Sequence, residues 1–464
     1  MAATSPISAP VDRTVPRATP QPHGATAPSS TLPLLFTLTG LLALLLGAGW
    51  IVAQPDILVT YHYSPRAISV THLLVLGWLC SVVMGAMYQL VPVALETKLF
   101  SERLAQIQFA LHLIACVGMV WSFSTWNLKS VALFGAMLVV GVAVFVYNIA
   151  RTLLRVPKWN VTATSVAAAI GWVMLAVALG LVIATAKSYP ETLPALAGWV
   201  IRFDPIGAMH AHAHLGAMGF FLVLMVGVSY KLIPMFALSE LKNPRRAAWS
   251  VVLLNIGLAG SFVTILMRSP WKLAFALVTF LALMLYALEL RAILKARRRS
   301  ALDWGMRGFL TAVGLLFPLS MIAAALSWPG LPVNGYTLQL ESVYGFLGLV
   351  GVVSFAIIGM LYKIIPFLVW FGTYSQYMGR AQVPSLAELY SARLQIISYW
   401  TYLAGLLTTL LAMEFSNVIG VRCGTGLLAA SLAIFGFNVA KMLRHFVHPQ
   451  LKPLPKIFFN NPAA

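Results

Sequence analysis

The sequence predicts an all-α integral membrane protein, with twelve transmembrane helices in three pseudo-symmetric units of four. Three observations lead there. The chain is 60% hydrophobic and 9% charged, with mean hydropathy +0.87, whereas a soluble domain carries about 25% charged residues. Apolar runs of about 20 residues, the length that crosses a bilayer, occur twelve times. A 21-residue pattern returns in the second, sixth and tenth of these runs.

The runs cover roughly 32–53, 69–94, 104–125, 131–153, 163–186, 208–237, 247–267, 272–294, 307–327, 339–370, 392–413 and 421–444. The membrane domain is therefore 32–444, with units at about 32–153, 163–294 and 307–444. Residues 1–31, rich in Pro, Ala, Thr and Ser, have no apolar run and read as a disordered cytoplasmic tail. No signal peptide is expected there, because a short apolar core followed by a cleavage site is missing. Residues 445–464, with "VHPQLKPLPKIFFNNPAA", read as a second, Pro-rich cytoplasmic tail.

The formal net charge of +19 does not point to nucleic acid, because the basic residues sit in short clusters between apolar runs. An N-terminus on the inside places 24 Lys and Arg on the cytoplasmic side, including "RAILKARRRS" and "KNPRR". It leaves seven outside: Arg66, Lys129, Lys187, Arg202, Arg268, Lys272 and Arg422. That bias orients both termini to the cytoplasm of a bacterial-type inner membrane. Cys80, Cys116 and Cys423 have no paired spacing and read as buried thiols rather than a disulfide framework or zinc site.

The repeated pattern runs "HLLVLGWLCSVVMGAMYQLVP" from His72 to Pro92, "HLGAMGFFLVLMVGVSYKLIP" from His214 to Pro234, and "FLGLVGVVSFAIIGMLYKIIP" from Phe346 to Pro366. Gly falls at offsets 5 and 13, Tyr at 16 and Pro at 20 in all three, and the copies start 142 and 132 residues apart. The glycines admit a neighbouring helix or a flat cofactor. The proline is expected to stop the helix. The tyrosines Tyr88, Tyr230 and Tyr362 lie about 24 Å below the first position and read as an interfacial aromatic belt. Lys231 and Lys363 beside them read as snorkelling anchors.

On these motifs the chain resembles subunit I of the haem–copper oxidase superfamily, most closely the cbb3-type oxidases and nitric oxide reductases. That family has twelve spans in three arcs, with similar Gly, Tyr and Pro patterns in helices two, six and ten. The resemblance implies that His72 stands at the position of a low-spin haem ligand and His214 at that of a copper ligand. It also exposes departures. Tyr344 and Phe346 stand where the tenth helix should carry two haem-ligating histidines, and the seventh span, "AAWSVVLLNIGLAGSFVTILM", has no copper histidines. The usual dinuclear centre is not expected. The "HAH" of His212 and His214 looks like the tenth-helix pair moved onto helix six, which suggests a cofactor between helices two and six.

Three histidines fall within "GAMHAHAHLGAMGFF". On a regular helix His210 and His214 differ by about 40° of rotation and can share one metal, while His212 points to the opposite side. Imidazoles from two helices suit axial haem ligation and also copper, and ionisable groups inside spans are functional by default. The expected sites are His72, His212 and His214 for haem, with His72, His210, His212 and His214 as metal-ligating candidates. Arg202 and Asp204 read equally as partners for haem propionates or as a loop ion pair.

His112 reads as a satisfied buried histidine, with a supporting or ligand role as the alternative. His62 reads as a solvated loop residue, with the rim of a site as the alternative. Glu289 and Glu414 lie at span ends, so no carboxylate proton path is expected.

The sequence therefore leads to a membrane protein with one or two b-type haems, serving electron transfer or small-gas handling without the usual haem–copper centre. The alternatives are an oxidase or nitric oxide reductase-like enzyme with a rearranged metal site, in which copper is possible, and a transporter or copper-handling protein. Expected partners are the lipid bilayer, membrane subunits and a cytochrome electron donor. The sequence has no Cys-x-x-Cys-His haem-attachment motif of its own.

Overall fold

The computed structural model describes residues 31–452, so most of both tails lies outside the described residues. Within it, twelve helices are long and apolar enough to cross a membrane. They are Thr31–Ala53, Pro65–Ala94, Glu102–Ser124, Leu128–Leu153, Val161–Ser188, Pro205–Ala237, Pro244–Leu266, Lys272–Lys295, Trp304–Leu326, Gly335–Tyr377, Ala392–Glu414 and Val418–Val447. No strand occurs among the described residues; one isolated bridge joins Gln382 to Lys452. The protein is thus all-helical, with twelve helices suited to cross a membrane.

Helix starts follow from local chemistry. Ten of the twelve begin behind a Ser, Asn or Asp whose side chain accepts the backbone N–H three residues on. Each such cap stabilises a helix by about 1 kcal/mol, and in a membrane the alternative is an unsatisfied N–H. Consecutive spans pack side by side, and the twelfth returns to the first. Two of the three cysteines are buried; Cys423 is exposed, against expectation.

The second, sixth and tenth spans form the inside of this ring. Their central windows are 61%, 72% and 78% buried, against 17–44% for the other nine. The motif glycines explain how. A Cβ on Gly85 would collide with Phe36 of the first span, and one on Gly227 with Ser165 of the fifth. One on Gly359 would sit 2.6 Å from the carbonyl oxygen of Gly305 in the ninth. All three occupy offset 13, and each receives the helix that precedes its own.

Each inner span contains an eight-residue π-helical stretch: Leu73–Cys80, Leu215–Leu222 and Leu347–Ser354. Each begins directly after the first motif position, His72, His214 or Phe346. A π-turn bonds each N–H five residues back and is rare outside functional sites. The polar groups that this geometry disturbs are met from neighbouring helices. His112 on the third span places Nε2 3.1 Å from the carbonyl oxygen of Leu76 and 3.1 Å from Ser81 Oγ. Tyr402 on the eleventh donates its hydroxyl to the carbonyl of Val350 at 2.8 Å. Leu76 and Val350 hold the same motif offset. Trp78 then donates to Ser354 Oγ at 3.0 Å, tying the second span to the tenth.

Several expectations change. Pro92, Pro234 and Pro366 do not stop their helices; all three lie inside them, and the helix after Pro366 runs on to Tyr374. Proline removes one hydrogen bond, and packing in the bundle interior outweighs that loss. Tyr88, Tyr230 and Tyr362 are buried rather than interfacial. Their hydroxyls meet Gln108 at 3.3 Å, Ser250 at 2.6 Å and Asn438 at 3.3 Å.

Lys363 is held in an ion pair with Asp303, the cap of the ninth span, and lies over the ring of Phe236. Lys231 stays near the surface, 3.9 Å from Glu96. Glu289 is fully buried, accepting from the backbone of Lys242 and Asn243 and from Arg246. The last helix continues to Val447, so His445 is buried in it and meets Tyr374 at 2.7 Å.

Candidate functional site

The histidines gather at the N-terminal ends of the inner helices, which run in the same direction. Asp204 starts the sixth span by accepting the N–H of Gly207 at 2.8 Å, and its carboxylate pairs with Arg268 at 2.7 Å. The expected pairing of Asp204 with Arg202 is therefore replaced by one with Arg268. Arg202 itself is exposed at the end of the short helix Pro194–Arg202.

Three imidazoles share one arrangement. Nδ1 of His72 is 2.8 Å from the carbonyl oxygen of Ile68, one turn back. Nδ1 of His214 is 2.7 Å from that of His210, again one turn back. Nδ1 of His212 is 2.9 Å from the carbonyl of Ala176 on the fifth span. A carbonyl can only accept, so in each ring Nδ1 carries the proton and Nε2 keeps its lone pair. This is how proteins commonly orient a histidine for a metal.

The surroundings make room. A Cβ on Gly180 would meet Cε1 of His212 at 2.8 Å, so glycine at this position lets the ring lie against the fifth span. Gly216 and Gly345, beside His214 and Tyr344, have nothing within 4 Å of where a Cβ would stand. His72, His212 and His214 are only half-buried although they sit on the inner helices. His72 lies on the ring of Phe123 at 4.5 Å between centroids.

His210 and His214 do not share one pocket. His214 turns toward the tenth span, where the hydroxyl of Tyr344 is 3.4 Å from its Nε2 and the rings stack at 23°. His210 turns toward His62, with Nε2 to Nε2 at 3.1 Å. The i, i+4 spacing aligned their backbones, but the side chains take different partners. His62, expected as a solvated loop residue, is half-buried against His210, and burial pushes its imidazole pKa below the usual value. Glu341 on the tenth span completes this group, with Oε2 3.8 Å from His62 and 4.0 Å from His210.

Two residues of the site were thus missed from sequence, His62 in part and Glu341 entirely. The signal for Glu341 was present. It precedes Phe346 by five residues, and His210 precedes His214 by four, so the repeat alone puts them at nearly the same depth. His112 sits deeper, at the π-helical stretch, and plays the supporting role.

No family model and no curated protein matches this sequence. Among solved structures, a haem–copper terminal oxidase dimer determined by cryo-electron microscopy is similar, with TM-score 0.60. The match covers 89% of this chain and 83% of that one at 14% identity. The chain therefore has the haem–copper oxidase fold. At that identity the likeness establishes the fold alone.

Proposed function

We propose that this protein carries haem on the oxidase fold, with His72 and His212 as the axial pair of one b-type haem and His214 as ligand of a second. The observation that supports this reading best is the shared anchoring of the three imidazoles, each with Nδ1 on a carbonyl, which leaves Nε2 as the nitrogen that would bind iron; at His214 the Tyr344 hydroxyl has to give way. Gly216 and Gly345 have open space where a Cβ would stand, which supports room for a macrocycle beside His214. Arg202 is the candidate partner for the propionates. Bound there, haem would supply a one-electron redox centre whose potential follows its ligands and burial.

The role that fits is electron transfer or small-gas handling, with an external electron donor. The seventh span still offers no histidine for the usual copper site. The three-unit organisation belongs to the same proposal. It is supported by the π-helical stretches and the offset-13 glycines, which recur at matching positions. The charge bias of the loops supports cytoplasmic termini. Haem content of the full chain, purified in detergent from haem-supplemented cells, tests the reading by the pyridine haemochrome assay. One or two b-type haems per chain are expected; protein without haem would sink it.

A further inference from the structure

We propose that His62, His210 and Glu341 form a site for a single divalent first-row transition-metal ion at the mouth of the bundle. The proposal stands apart from the haem reading, since it uses none of His72, His212 and His214.

The three groups arrive from three separate elements. His62 lies in the loop before the second span, His210 in the second turn of the sixth, and Glu341 in the second turn of the tenth. Their donor atoms all lie within 4.8 Å of one another. Two nitrogens bound to one ion at about 2.0–2.1 Å in tetrahedral geometry stand roughly 3.3 Å apart. The two Nε2 atoms are 3.1 Å apart, with Glu341 Oε2 at 3.8 and 4.0 Å. Movements of roughly half an ångström or a little more, chiefly of the Glu341 carboxylate, would bring all three within the donor spacing of one ion.

The plainer account is an N–H···N bond between two neutral rings. It explains one of the three distances. It leaves the carboxylate oxygen of Glu341 facing two rings that share a single Nε2 proton. A cation satisfies both lone pairs and the carboxylate together. Two imidazoles and one carboxylate suit Zn²⁺, Fe²⁺ or Cu²⁺, with a coordination position left open for water or a small ligand. Four residues separate His210 from His214, so the ion would sit about 6 Å of helix rise outward from the His214 level.

The test uses the full chain in detergent, stripped with a chelator and titrated with Zn²⁺ alone, with bound metal counted after equilibrium dialysis. One Zn²⁺ per chain is expected. His62→Ala and Glu341→Gln should each weaken it at least about tenfold, with haem content equal to that of the unaltered protein. Glu341→Gln nearly preserves shape, so a single size-exclusion peak and unchanged circular dichroism would show that the loss is of a ligand and not of the fold. No Zn²⁺ on the unaltered chain, or equal affinity in both variants, would overturn the proposal. Zn²⁺ binding by protein that carries no haem would sink the haem reading and leave this one standing.

Discussion

The hydroxyl of Tyr344 lies 3.4 Å from Nε2 of His214, with the two rings stacked at 23°. Since Nδ1 of His214 is committed to the carbonyl of His210, Nε2 is the acceptor and Tyr344 the donor. The tyrosine thus occupies the lone pair that an iron at His214 would need. His72 and His212 carry no such competitor on Nε2, which ranks them above His214 as an axial pair.

Tyr344→Phe removes that competitor while keeping the stacked ring. Haem occupancy at the His214 site should rise, or hold if it is already full, as measured by haem per chain. A loss of haem in this variant would mean that the hydroxyl supports the cofactor instead.

The carbonyl groups of the π-helical stretches depend on side chains from other helices. Tyr402→Phe leaves the Val350 carbonyl without its side-chain donor, and His112→Leu leaves the Leu76 carbonyl with the Ser81 hydroxyl alone. Each should cost about 1–3 kcal/mol, read as a lowered thermal midpoint in detergent. If neither variant is less stable, these contacts are incidental to the inner helices.

Gly359 is one of the tight backbone contacts of the bundle that a simple substitution can probe. Alanine would gain about 1 kcal/mol of helix propensity, but its Cβ would meet Gly305 O at 2.6 Å and Phe309 N at 2.9 Å. Backbone cannot step aside as a side chain can, so Gly359→Ala should be destabilising by about 1–3 kcal/mol net. Greater stability would show that the ninth and tenth spans are looser than described.

Acid stability should depend on Asp303. Burial pushes its carboxyl pKa up, but the Lys363 ion pair and the N–H of Met306 outweigh that and hold it below the usual carboxylate value. A depressed folded-state pKa contributes stability that is present above the unfolded value and lost as pH falls toward the folded one. Melting curves should therefore show stability falling as pH drops below about 4. Asp303→Asn keeps a capping side chain but not the charge. It should lower stability at neutral pH by about 1–3 kcal/mol and flatten the acid slope. An unchanged slope would assign the acid sensitivity elsewhere.

Much of this fold was legible in the sequence because membrane spans advertise themselves. Twelve apolar runs and the recurring glycines marked both the helices and the three that lie inside. The prolines misled because the rule applied to them assumes a helix end in water, whereas Pro366 sits in a buried helix that packing carries onward. Tyr88, Tyr230 and Tyr362 were read from depth alone, and the partner that buries each one sits on another helix.

The site was legible only where its residues share a helix. His210, His212 and His214 stood together in the sequence, but their division among three partners depends on contacts with His62, Ala176 and Tyr344, 148, 36 and 130 residues away. The π-helical stretches were invisible for a related reason. Their cost is met by tertiary contacts such as His112 to Leu76, and no local residue pattern records that.

The central claim is that His72 and His212 hold one haem between the second and sixth spans. The most direct measurement is the dithionite-reduced minus oxidised optical spectrum of the purified chain, compared with His72→Ala and His212→Ala. The account predicts a sharp reduced α band in the unaltered protein that is lost in both variants while they remain folded and monodisperse. A band that survives both substitutions, or a featureless spectrum from haem-replete cells, would contradict it.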